Sequence, residues 1–255
     1  MMRPVLKSLL PALFATAVLA GSVSAQSTDI AKMSDAEREA FRSEIRAYLL
    51  ENPEVLIEAI QVLETRQEAE QAANDDDLIA ANAADLFEDK ASWQGGNPEG
   101  DITIVEFLDY QCGYCKRAFP EVMSLVNSDK NIRLIVKEFP ILGEASMLAS
   151  QFAVAVLQVA GDDAYQAVHD GMMMARGGVN DALIDKLIAD NDLDGDAIRA
   201  RMGGPEVEAV IRANRELGQR MKINGTPSFV FETEMVRGYV PLDGMTQLIA
   251  ELRSR

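Results

Sequence analysis

The chain has 255 residues, 48% of them hydrophobic, and sets 24 basic side chains against 41 acidic ones for a formal charge of −17. That length allows one ordinary domain plus an appendage. The negative balance argues against nucleic acid or an anionic lipid surface as a partner.

The first 25 residues are organised like a secretory signal. Arg3 and Lys7 form a positive n-region, 8–20 is largely apolar, and Val23-Ser24-Ala25 fits the small-residue cleavage pattern, so the mature chain is expected to begin at Gln26. The apolar run is short for a bilayer span and contains Pro11, which favours cleavage over anchoring. Losing Arg3 and Lys7 takes the basic count from 24 to 22 against 41 acidic residues, a net of −19. Export would place the protein in an oxidising compartment.

Residues 26–90 read as a helical arm and linker. Ser34 with Glu37 makes a capping box for a helix to about Leu50. Asn52-Pro53 restarts the chain, Asn as N-cap and Pro at the first helical position, with a second helix to about Ala73 and on toward Phe87. Phe41, Ile45, Tyr48, Leu49, Leu56, Ile60 and Leu63 fall near helical spacing and give each helix one apolar stripe. The arm has too little apolar surface to fold alone. Self-association is favoured over docking within one subunit, because 64–90 reads as a solvated, charged stalk. Asp75-Asp76-Asp77 reads as a solvated turn or helix break rather than a metal site. Residues 93–100, rich in Gly and Pro, read as a loop at the entrance to the main domain.

The apolar, β-branched run Ile102–Leu108 then predicts a buried strand. A short turn leads to Cys112 and Cys115, the only cysteines, at the start of a helix reaching about Asn127. Free N–H groups and the helix dipole favour negative charge at such a position. A thiolate there can have its pKa lowered from about 8.5 to about 3.5–7.5. Cys115 lies one turn on and can attack a mixed disulfide formed at Cys112. Zinc would need four ligands, and the chain offers no further Cys and one His. An inert disulfide would close too short a loop to constrain much entropy. A redox C-x-x-C is the favoured reading.

A second strand is expected over 132–139, ended by Pro140. Five helices follow, over 145–160, 164–174, 181–191, 194–202 and 205–222, punctuated by glycines. His169, the only histidine, reads as a surface or half-buried residue rather than a base. Met172-Met173-Met174 point around a helix, which suits core packing or an apolar rim better than copper ligation. After Asn224-Gly225-Thr226-Pro227-Ser228 come strands over 229–232 and 235–239 and a last helix over 242–252. The pattern is α/β: one sheet interrupted by a helical insertion at about 143–222.

Three motifs, Glu106-Phe107-x-Asp109-Tyr110-x-Cys112-Gly113-Tyr114-Cys115-Lys116, then Lys137-Glu138-Phe139-Pro140-Ile141-Leu142-Gly143, then Gly225-Thr226-Pro227-Ser228-Phe229, resemble the thioredoxin-fold DsbA-like family. Residues 34–90 resemble the N-terminal oligomerisation region of its ScsC-like subgroup. The resemblance implies a thioredoxin fold with a helical insertion between the second strand and the cis-proline strand. It divides the chain into a signal (1–25), an oligomerisation arm (26–90) and a catalytic domain (91–255). It implies that Cys112 is the nucleophile, Cys115 the resolving cysteine, and Pro227 a cis-proline exposing the Thr226 backbone to a substrate chain. It implies that Glu106 is a buried acid relaying the Cys115 proton. Lys137 is either the partner of Glu106 or an ordinary strand-end lysine.

The strongly oxidising relatives carry Pro-His between the cysteines, whereas here Gly113-Tyr114 is similar to the isomerases of DsbC type. With one thiolate donor fewer, Cys112 is expected to be less acidic. The resemblance therefore implies a periplasmic thiol–disulfide oxidoreductase, foremost a disulfide isomerase or reductase, with a dithiol oxidase and a non-enzymatic holdase or copper-binding protein as alternatives. Its implied partners are misfolded exported proteins with cysteines, a DsbD-like membrane reductant and copies of itself, a homotrimer before a dimer. It implies no cofactor and no metal.

Overall fold

The computed structural model describes residues 33–255, so the expected signal and the first residues of the arm lie outside the described residues. The chain forms two compact units, one up to Val62 and one over Leu63–Arg255.

In the first unit, helix α1 (Asp35–Glu51) starts at the expected capping box. The Ser34 hydroxyl accepts from Glu37 N–H, and the Glu37 carboxylate accepts from Ser34 N–H at 2.8 Å. Helix α2 (Glu54–Ala81) begins here and runs on into the second unit. Asn52 does not cap α2 as expected. It closes α1 instead, its backbone and side-chain N–H groups donating to Tyr48 O at 2.8 and 2.9 Å. The last carbonyls of a helix lack partners, and an Asn side chain reaches back four residues to one of them. Helix α1 buries no side chain, and Phe41, Ile45, Tyr48, Leu56 and Ile60 are exposed.

The second unit contains α3 (Ala83–Phe87), β1 (Trp93–Gly96), β2 (Ile102–Leu108), α4 (Gly113–Asp129), β3 (Ile132–Glu138), α5 (Glu144–Ala160), α6 (Asp162–Met174), α7 (Asp181–Asp190), α8 (Gly195–Met202), α9 (Pro205–Arg220), β4 (Ser228–Phe231), β5 (Glu234–Arg237) and α10 (Leu242–Arg253). The strands form one sheet in the order β1-β3-β2-β4-β5. β2 and β3 are parallel, and every other pairing is antiparallel. All seven residues of β2 are buried, which is why its sequence is apolar on both faces, broken only by Thr103 and Glu106, instead of alternating. The five helices expected between the second and third strands are α5 to α9. Side-chain caps from Asn180 and Asp194 start α7 and α8.

Strand β1 replaces the expected loop. Its glycines serve packing at the sheet edge rather than a turn. Gly96 has φ +71°, and a Cβ there would lie 2.4 Å from Ile132 O.

Side-chain alternation gives the sheet two different faces. Ile104 and Leu108 of β2, with Leu134 and Val136 of β3, join α4, α5, α6 and α10 in the larger core. Val105, Phe107, Ile135 and Val230 face the other way and meet Ile79, Leu86, Leu217, Met221 and Ile223. The stretch 64–90 is therefore a solvated stalk only in its first part: the described side chains of 64–74 are exposed, whereas Ile79 and Leu86 complete a core. The acidic triplet does not break the helix. Asp75 is buried within α2, and the Arg237 guanidinium donates to both its carboxylate oxygens at 2.6 and 2.7 Å, while Asp76 and Asp77 are exposed. Only one aspartate of the three faces the sheet.

Arg237→Ala strands the buried Asp75 carboxylate. The expected cost is about 1–3 kcal/mol of unfolding free energy, read from urea denaturation, below that of a fully buried pair because the arginine is partly hydrated.

Candidate active site

Strand β2 hands the chain to α4 through a turn built on one carboxylate. Asp109 is fully buried; its Oδ1 accepts from Gln111 N–H at 2.8 Å and its backbone carbonyl from Cys112 N–H at 3.0 Å. Its Oδ2 accepts from Ile141 and Leu142 N–H at 2.8 and 3.1 Å, pinning the segment after β3 beside the turn. Cys112 is thereby placed as the N-cap of α4, where its sulfur accepts from Cys115 N–H at 3.4 Å. Both thiols are free and buried. The Thr226–Pro227 peptide is cis, and the Cys112 thiol donates to Thr226 O at 3.1 Å.

The two sulfurs are set far apart in acidity. Cys112 is brought down from its ordinary 9.0 to about 5, chiefly by the Cys115 thiol donating to it; burial opposes this, and the Thr226 side chain and the N–H groups of Cys115 and Tyr114 assist. Cys115 is pushed far up by burial, by its own donation to Cys112 and by the negative charge of Glu106. Glu106 is raised to about 8, by burial first and then by the charges of Cys112 and Glu138. Its Oε1 is buried without a hydrogen-bond partner, an environment that favours the protonated acid.

Residues 103–250 match the DSBA-like thioredoxin domain, more than half of the chain. The chain belongs to the DSBA-like thioredoxin domain family. Within this DSBA-like protein, residues 37–70 also match the Copper resistance protein ScsC N-terminal domain. A thioredoxin-like oxidoreductase from Silicibacter pomeroyi is 39% identical, with 68% of this chain and 98% of that one covered and a TM-score of 0.63. The thiol-disulfide exchange protein alpha-DsbA2 from Wolbachia pipientis is 26% identical, covering 71% and 97%, with a TM-score of 0.67. Proteus mirabilis ScsC in a transitional conformation is 26% identical and covers 87% and 97%, with a TM-score of 0.63. Among curated relatives, a Na(+)/H(+) antiporter of Salinispora arenicola is 24% identical over 155 residues, 60% of this chain and 24% of the antiporter. The chain thus spans about a quarter of the length of that curated relative.

The fold of the DSBA-like protein gathers Cys112, Cys115, Glu106, Thr226 and Pro227 at one end of β2 and β4. Gly113 is the first residue of α4, and a Cβ there would meet nothing within 4 Å, so no steric need fixes a glycine. Tyr114 is exposed, its ring 6.5 Å from that of Tyr239, over which the Arg117 guanidinium sits at 4.4 Å.

Lys137 is not part of this cluster. Glu106 is paired in register with Val136, so Lys137, one residue on, points through the opposite face of the sheet. There its ammonium donates to Asp89 Oδ2 at 2.5 Å and Asp85 O at 2.8 Å. His169 is neither at the surface nor half-buried. It is enclosed by the rings of Trp93, Tyr110, Phe119 and Tyr165, and burial pulls it down to about 3, leaving it neutral. Helix α6 turns this face inward and buries Met172 and Met173, while Met174 is exposed.

Sequence reasoning assigned no role to Asp109, Lys116 or Glu138. The Lys116 ammonium donates to Ala175 O and Gly177 O at 2.9 and 2.8 Å, tying α4 to the segment after α6. Glu138 was detectable in principle. It continues the inward parity of Ile132, Leu134 and Val136, where a charged residue has no ordinary packing role.

A Cys112 thiolate that forms near pH 5 makes the reduced sulfur reactive well below neutrality. Iodoacetamide alkylation of Cys112 is expected to rise through a midpoint near pH 5 and to level off by neutrality. The lowered pKa also means that Cys112 binds less proton in the folded reduced state than in the unfolded one between about 5 and 9. The contribution of this one thiol to stability therefore rises with pH across that window, while the raised Glu106 and Glu138 contribute with the opposite sign below about 8 and 7.

Proposed function

We propose that this DSBA-like protein is a periplasmic thiol–disulfide oxidoreductase acting on exported proteins, foremost as a disulfide isomerase or reductase. The observation that carries the reading is the division of roles between the sulfurs. An acidic Cys112 caps α4 against the Thr226–Pro227 peptide, and a strongly non-acidic Cys115 waits one turn inside.

In the proposed cycle, the Cys112 thiolate attacks one sulfur of a client disulfide. The other client sulfur leaves as a thiolate, and a mixed disulfide forms. The Thr226 backbone, beside Cys112, pairs with the client chain in the manner of an added strand. A second client thiolate can then displace Cys112, which rearranges the client with no net oxidation. Alternatively Cys115 gives its proton to the Glu106 carboxylate and displaces the client. The dithiol then leaves oxidised, having passed two electrons to the client. Continued action needs an external reductant, for which a DsbD-like membrane protein is the proposed partner. Periplasmic action is supported by the signal-like organisation of residues 1–25.

The exposed apolar stripe of α1 and the start of α2 supports self-association through the arm, as a homotrimer before a dimer. Light scattering is expected to give a multiple of the monomer mass for the mature chain and a monomer once 26–62 are deleted. Equal association states before and after deletion would remove the arm from the proposal.

One observation favours a second reading. Cys112 is lowered to about 5, within the range expected at the start of α4, and a stabilised thiolate favours the reduced enzyme, the mark of a disulfide donor. Refolding of scrambled against reduced ribonuclease separates the two. The isomerase reading expects the larger rate gain with scrambled substrate, lost in Cys112→Ser. It also expects Cys115→Ser to accumulate a client disulfide on Cys112. Faster oxidation of reduced ribonuclease without rescue of the scrambled form would establish the dithiol oxidase instead.

A further inference from the structure

A second carboxylate lies inside the same core. Glu138 ends β3 one pleat beyond the partner of Glu106, on the same face of the sheet, and is 3% exposed. Three hydroxyl groups converge on it. Tyr110 and Tyr165 donate to its Oε1 at 2.8 and 2.6 Å, and Ser150 donates to its Oε2 at 2.7 Å. Tyr110 is two residues from Cys112, and its oxygen lies 2.9 Å from His169 Nδ1. With the single Tyr110 proton committed to Glu138, the neutral imidazole carries its proton on Nδ1 and donates it to Tyr110.

The two acids are thus furnished in opposite ways. A carboxylate receiving three O–H donors is equipped to hold charge in the interior. Glu106, with a buried oxygen that nothing reaches, is equipped to hold a proton. Two buried carboxyl groups on adjacent strands do not ionise independently, and the better-solvated one ionises first.

We propose that Glu138 is a positioning residue for thiol exchange: its hydroxyl-stabilised charge opposes ionisation of Glu106 and so sets the pH above which the Glu106 carboxylate is free to accept the Cys115 proton. This rests on the relay role of Glu106 in the proposed function. The balance is one proton, which moves from Cys115 to Glu106, while Glu138 gives and takes none in the step. The groups facing Glu138 are Tyr110 and Asp109 from the turn before α4, Ser150 from α5, Tyr165 and His169 from α6, and Glu106 from β2; the Asn214 side chain of α9 donates to its backbone carbonyl at 3.2 Å. Burial raises Glu138 to about 7, with the three hydroxyls working against it, and Glu138 is among the charges that raise Glu106.

The test is the pH profile of the Cys115-dependent step, followed as release of a small thiol from a preformed mixed disulfide on Cys112. Glu138→Gln keeps the shape of the side chain and removes its charge. The Glu106-dependent limb is expected to move to lower pH by about one unit. An unmoved limb in Glu138→Gln, together with its loss in Glu106→Gln, overturns the role of Glu138 and leaves the relay standing. A parental profile in Glu106→Gln overturns the relay, and with it the kinetic role given to Glu138. The wild-type protein supplies a check that needs no variant. Carbon-13 NMR of the glutamate carboxyl groups in the reduced state is expected to show a second inflection in the Glu106 signal at the midpoint of Glu138. Independent single inflections overturn the coupling.

Discussion

The structure depends on how one negative charge is held at the start of α4. A sulfur at an N-cap collects donors that a helix leaves free, and here it also draws the thiol hydrogen of Cys115. The same contact that makes Cys112 acidic makes Cys115 harder to ionise. The two cysteines are therefore not two copies of one reactive group. Their chemistry differs because Cys112 sits at the N-cap among donors, while Cys115 is held up first by burial and then by its own donation to Cys112. The Asp109 turn, which fixes where α4 begins, and the Thr226–Pro227 peptide, which closes the site, hold that contact in place.

Much of this was legible in order along the chain. The largely apolar run of β2, the C-x-x-C after it, and the glycine-punctuated helices between β3 and β4 each have a local physical signature, and each is found where that signature puts it. What escaped depends on which face a residue meets. Lys137 stood open between a partner for Glu106 and an ordinary strand-end lysine, and alternation sends the two to opposite sides of the sheet. Asp75 looked solvated among its acidic neighbours, and only the position of Arg237 in space singles it out. β1 looked like a loop because glycine at a sheet edge and glycine in a turn read alike.

The same parity argument explains why the second carboxylate went unremarked. Glu138 belongs to a motif that matches as a string, but its meaning lies in three hydroxyls contributed from the turn before α4, from α5 and from α6. None of these is adjacent to it in sequence. Likewise His169 lacks any local mark of burial, and its aromatic enclosure is assembled from four separate stretches of chain.

That enclosure gives the molecule a built-in optical probe. Trp93, the single tryptophan, stacks on Tyr165 with ring centres 5.3 Å apart and anchors its indole N–H on Asp162 O at 3.2 Å. Tyr165 in turn bonds the carboxylate of Glu138. The fluorophore therefore sits one ring away from a charge in the interior, and its emission reports on that charge without any label attached near the cysteines.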